Sequence, residues 1–128
     1  MSGARYDGFL PGRHNVEGYG AGAFRFAGMS HRGSIIIAPS GVTAIAATTP
    51  ADLTPDMLAP IFAEPKGAVE LVLLGMGADV AAVPPAIRDA LRARGLRFEM
   101  MATGPAARTF NVLAEEERRV AAVLLAVP

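Results

Sequence analysis

The run Val69-Glu-Leu-Val-Leu-Leu does most to limit what this chain can become. It is apolar at consecutive rather than alternate positions, the mark of a strand covered on both faces. Gly75-Met-Gly-Ala-Asp ends it, and two strand-like segments follow at helical spacing. Pro84-Pro85 opens a helix in which Ile87 and Leu91 face the core and Arg88, Asp89 and Arg92 face water, with Gly95 placed to end it in the left-handed conformation. Leu96-Arg-Phe-Glu-Met-Met reads as the next strand, and a third helix spans about 104–114. Arg119 to Val127 closes as a strand, either buried inside the sheet or exposed as an edge. Strand-helix-strand units of this kind favour a parallel central sheet with helices packed on it. The short link Glu115 to Arg118 leaves the direction of the last strand open.

The first half is less regular. Residues 1–20 read as an irregular, glycine-rich N-terminal arm, and 21–128 as a single α/β domain. Between 23 and 47 the pattern predicts a small antiparallel meander. Phe24 and Phe26 alternate with Arg25, Ser34-Ile-Ile-Ile-Ala is a strand, Pro39-Ser40-Gly41 a turn, and Val42-Thr-Ala-Ile-Ala the return. Thr54-Pro55-Asp56 has the form of a helix start with a hydroxyl cap. Met57, Leu58, Ile61 and Phe62 share one face, and Pro60 keeps that helix short or kinked.

Composition narrows the function. Of 128 residues, 52% are hydrophobic and 19% charged, which supports one folded domain rather than disorder. Lys+Arg and Asp+Glu balance at 12 each, so no global field draws in nucleic acid or anionic lipid. The chain has no cysteine, which removes disulfides, thiolate metal sites and thiol nucleophiles. The longest apolar run, Val120 to Val127, is too short for a helix that crosses a bilayer. The reading is a cytoplasmic protein, or one held at a membrane surface through a partner. The low charged fraction also leaves room for self-association.

Two places carry polar groups that could form a site. At Gly75 and Gly77 the chain leaves a central strand, where α/β sheets bind ligands. Without a third glycine and a following acid it falls short of a nucleotide-binding loop, and a plain strand-exit turn that needs glycine for space is the favoured reading. At Thr103-Gly-Pro-Ala-Ala-Arg a helix begins, with Thr103 or Gly104 as its cap. Its free amides suit an anion or carbonyl, and Arg108 and Asn111, three apart, share a face. Ala106, Phe110 and Leu113 take the core side. The alternative uses are internal: a cap for Thr103, an acidic partner for Arg108, a tied-down loop for Asn111. His14 and His31 lie in glycine-rich loops and make a weak metal case. Ser40 is a turn former, and Glu115 to Arg119 is a partner-docking charge cluster or a solvated corner. No cofactor motif is present, and no paired carboxylates or histidine-acid motif favours catalysis. The geometric expectation is that the exits of two neighbouring strands and the start of the third helix meet at one spot.

At Gly75-Met-Gly, Glu99-Met-Met-Ala-Thr, Ala107-Arg-Thr-Phe-Asn and Glu117-Arg-Arg-Val-Ala-Ala, from about Tyr19 onward, the chain resembles a small single-domain family. Its members are bacterial and archaeal proteins, and it includes mitochondrial complex I assembly factor 3. The resemblance implies a three-layer fold: a β meander beside a mixed, mainly parallel central sheet flanked by helices, with the last strand antiparallel to the others. It implies a non-catalytic accessory role through protein partners, respiratory complex subunits among them. The family pattern has Gly-Thr-Gly at 75–77, often Cys at 107 and Tyr at 110; here these are Met76, Ala107 and Phe110. Arg108, Thr109 and Asn111 match.

Overall fold

The computed structural model describes residues 5–128. Its strands are β1 (Phe9–Pro11), β2 (Gly18–Gly20), β3 (Ala23–Phe26), β4 (Met29–Arg32), β5 (Ser34–Ala38), β6 (Gly41–Ile45), β7 (Leu71–Gly75), β8 (Arg97–Met101) and β9 (Val120–Leu124). Its helices are α1 (Ala59–Phe62), α2 (Pro85–Ala93) and α3 (Thr103–Glu115), with two 3₁₀ turns before α1. Six strands form one mixed sheet in the order β1-β6-β5-β9-β7-β8, and β2, β3 and β4 form a separate antiparallel meander. In the large sheet β6, β7, β8 and β9 run one way and β1 and β5 the other.

The period-two alternation of strand side chains divides the core into two layers. Ile36, Val72, Leu74, Ala121 and Val123 point to one face, where Leu58, Ile61, Ile87 and Leu91 cover them from α1, α2 and the turn before α1. Ile35, Ile37, Leu73, Ala122 and Leu124 point to the other, beneath Ala106, Ala107 and Phe110 of α3 and Phe24 and Phe26 of the meander. Burying each large apolar side chain stabilises the fold by about 1.5–3 kcal/mol.

Four expectations need correction. The meander is Gly18–Arg32; Ser34–Ala38 and Gly41–Ile45 are a hairpin within the large sheet. Ile35, Ile36 and Ile37 are all buried, so this strand needs cover on both faces, which a half-exposed meander does not provide. The N-terminal stretch is not irregular throughout: Phe9–Pro11 pairs with β6 as an edge strand and Gly18–Gly20 opens the meander, with irregular backbone at 5–8 and 12–17. Glycines at 8 and 12, with φ of 115° and 96°, bracket β1 as turns. The first four residues of that proposed arm lie outside the described residues. The last strand is antiparallel to β5 alone; it runs parallel to β7. Helix α3, about 20 Å long at 1.5 Å per residue, carries the chain back along the sheet, so a short link starts β9 at the end where β7 starts. Finally, Thr54 makes no side-chain cap, and the segment after it is a 3₁₀ turn running into the four-residue α1.

Helix α3 ends in a Schellman turn: the Glu117 amide donates to the Ala114 carbonyl and the Arg118 amide to that of Leu113. Glu117 is left-handed there, with φ of 60°, where glycine carries no Cβ penalty. Glu117→Gly is therefore expected to stabilise the fold by about 1 kcal/mol, a rise in Tm of roughly 4 °C in a thermal melt. A lower Tm would mean that the glutamate side chain contributes more than its backbone costs.

The Tyr6 ring packs edge-on to Phe26, and its hydroxyl donates to the Val42 carbonyl at 3.1 Å. Burial pushes the phenol up to about 12. Its stabilising contribution is thus complete below the unfolded value of about 10 and is lost as pH rises through the folded value. Denaturant titrations between pH 9 and 12 are expected to show a decline that Tyr6→Phe flattens. An equal decline in the variant assigns it to another group.

Candidate functional site

The three chain ends do meet. β7 and β8 are parallel neighbours, and the Met76 amide donates to the Met101 carbonyl at 2.8 Å just beyond them. The Thr103 amide donates to the Gly77 carbonyl at 2.8 Å, which fixes the start of α3 on the exit of β7. The end of β9 joins them where the Leu125 amide donates to the Gly75 carbonyl at 2.9 Å.

Thr103 locks this junction. It is not a helix cap; Ala102 holds that position and has no side-chain oxygen to offer. The Thr103 hydroxyl is 0% exposed, accepts from the Gly77 amide at 3.0 Å and donates to the Leu125 carbonyl at 2.7 Å. One buried side chain thus satisfies two backbone groups from two strand exits. In the first turn of α3, the Thr103 amide is committed to Gly77, Pro105 has no amide hydrogen and the Ala106 amide bonds Ala102. That leaves the Gly104 amide, and Tyr19 packs on the Cα side of the same residue: a Cβ at Gly104 would stand 2.5 Å from the Tyr19 hydroxyl.

Gly75 acts by size. A Cβ there would stand 3.0 Å from both the Ala106 Cβ and Leu124 Cδ2, and 3.1 Å from the Thr103 Cα. The glycine lets α3 sit directly on β7. Gly77 differs: it has φ of 106° and open space about its Cα, so it serves backbone direction at the strand exit.

Arg108 and Asn111 share a face of α3, as their spacing predicts, and both reach the same N-terminal stretch. Asn111 Oδ1 accepts from the Val16 amide at 2.9 Å, and its Nδ2 donates to the Val16 carbonyl at 2.8 Å. This reproduces a strand-like pair of bonds with a side chain. Arg108 Nη1 donates to the Tyr19 hydroxyl at 3.0 Å, while the residue as a whole stays exposed. Sequence reasoning missed Tyr19, and its signal was available: an aromatic residue set between Gly18 and Gly20 inside a stretch read as arm.

The remaining candidates are dispersed. His14 Nε2 donates to the Pro11 carbonyl at 2.8 Å, and His31 packs edge-on to Tyr6, where burial lowers its pKa. Ser40 is a turn residue held by Glu64 through its amide and hydroxyl. Arg118 and Arg119 do not pair with the preceding glutamates; Arg119 bonds Glu70, with Arg118 at 3.8 Å from the same carboxylate. Among the described residues there is no group of three metal-ligating side chains, and no helix is long and apolar enough to cross a membrane.

Fold and junction define a single α/β domain whose strand exits are closed by internal bonds. The chain belongs to the DUF498/DUF598 family, proteins of unknown function, whose sequence pattern matches residues 16–125. It is 41% identical over 123 residues to an uncharacterised protein of Rhodobacter capsulatus, covering 96% of this chain and 90% of that one. Among solved structures it is similar to an outer membrane protein from Bartonella henselae, at 43% identity and a TM-score of 0.85, covering 92% of this chain and 98% of that one. It is also similar to a Bordetella pertussis protein described as a Mth938-like domain, at 29% identity and a TM-score of 0.71, covering 88% and 85%.

Proposed function

We propose that the protein is a non-catalytic accessory factor that works by binding a protein partner through the outer face of α3. The observation that carries this reading is the division of labour along that helix. Thr103 and Asn111 are committed to the fold, while Tyr19, 42% exposed, bonds Arg108, and Val112 on the same helix is 54% exposed. Arg108 and Val112 are four apart and share one stripe. Tyrosine and arginine are the side chains most often found to anchor protein interfaces, and a rigid aromatic held by an arginine is ordered before the partner arrives. In its finer form the partner is a respiratory complex I subunit, a reading supported by the family resemblance.

A photocrosslinking residue at position 112, with one at the exposed Asp89 of α2 as control, tests this in the native host. The expected result is a discrete adduct from position 112 that Tyr19→Ala abolishes, with a complex I subunit as the attached protein. An adduct to a second copy of the chain would replace that partner with self-association. No adduct from position 112, together with normal complex I assembly in a deletion strain, would overturn the proposal.

A further inference from the structure

At the opposite end of the sheet from the junction, where β9 begins and β5 ends, lies a hollow of about 320 Å³. Its floor is apolar: Phe110 and Ala114 of α3, Ala38 of β5 and Val120 of β9. Phe110, Ala38 and Val120 are between 3% and 4% exposed, so the floor is continuous with the core. Its rim carries two guanidinium groups from opposite ends of the chain, Arg13 and Arg118. The two neighbouring arginines both approach Glu70: Arg119 bonds it and the Gly67 carbonyl, while Arg118, farther from that carboxylate, also lines the hollow. The nearest carboxylate to Arg118 is that same Glu70, at 3.8 Å, beyond hydrogen-bond range. Arg13 forms no ion pair or hydrogen bond among the described residues. The one carboxylate lining the hollow, Glu17, is turned to the Gly28 amide at 3.0 Å.

We infer that this hollow binds a small organic carboxylate, its apolar body against Phe110 and Ala114 and its charge between Arg13 and Arg118. Guanidinium forks match a carboxylate with paired hydrogen bonds, and Arg13 and Arg118 against the engaged Glu17, with Glu70 bonded to Arg119, leave the rim cationic in a chain of zero net charge. The volume stands at the lower end of ligand pockets, about 300–1,000 Å³, which suits a monocyclic or short branched acid and excludes a nucleotide. An apolar floor gives inorganic phosphate nothing to bury. The site shares no residue with the Tyr19–Arg108 face, so the two proposals stand or fall separately.

Titration of the whole protein with benzoate, phenylacetate and isovalerate, followed by amide chemical shifts, is the test. At least one acid is expected to give saturable shifts at Ala38, Ala114 and Val120. Benzamide, which has the shape of benzoate without its charge, is expected to bind about tenfold more weakly, as is benzoate to Arg13→Gln or Arg118→Gln. Ala114→Leu, which fills the hollow, is expected to abolish the shifts at Ala38 and Val120, with melting behaviour confirming that the variant is folded. No saturable shift from any of the three acids would overturn the inference. Equal affinity for benzoate and benzamide would do so too, as would arginine variants that melt like the parent and bind like it.

Discussion

Thr103→Val is expected to destabilise the fold by about 2–4 kcal/mol in chemical denaturation, although it keeps the size and β-branching of the side chain. The hydroxyl is fully buried and serves two backbone groups, the Gly77 amide and the Leu125 carbonyl. A methyl in its place leaves a donor and an acceptor without partners, each at a cost of roughly 1–3 kcal/mol. Thr103→Ser retains the oxygen and gives up one methyl, so about 1 kcal/mol is expected. The contrast between the two variants separates hydrogen bonding from packing. A valine variant as stable as the serine one would show that the hydroxyl does not hold the strand exits together.

Gly75→Val should have a comparable effect by a different route, about 3 kcal/mol, with Gly75→Ala between it and the parent. The added Cβ meets the Ala106 Cβ, Leu124 Cδ2 and Thr103 Cα at 3.0–3.1 Å. Leu124 can rotate, but Thr103 and Ala106 belong to α3, so the helix must lift from β7. Lifting it also stretches the Thr103 bonds, which makes the two sites non-additive: Gly75→Val on a Thr103→Val background is expected to cost less than it does alone. Simple additivity in a double-mutant cycle would contradict a shared junction.

The parts of this architecture that could be read from sequence are those set by local pattern. Val69–Leu74 announces a doubly covered strand, Pro84-Pro85 and Gly95 bracket α2, and Thr103-Gly-Pro starts α3 within a residue of its observed beginning. What escaped depends on partners distant in the chain. β1 and β2 have three residues each, too few to show an alternation, and β1 exists because Phe9 finds Thr43 across the sheet. The direction of β9 follows from the length of α3 against the sheet, which the four-residue link does not encode. Asn111 looked like a reader of ligands because its spacing from Arg108 is real. Its partner, the backbone of Val16, is visible only once the N-terminal stretch is laid along α3. The convergence of strand exits was legible; its closure was not, because a threonine hydroxyl reads the same whether it faces a ligand or a neighbouring carbonyl.

Native-state hydrogen exchange at Gly77 tests most directly whether the strand exits form a closed structural joint. If the Thr103 hydroxyl holds that amide, Gly77 exchanges at the slow rate of the β7 core, and Thr103→Val speeds it selectively. Exchange at Gly77 as fast as at the exposed Ala78 beside it, unchanged in the variant, would mean that the junction is open and its polar groups are free for a ligand.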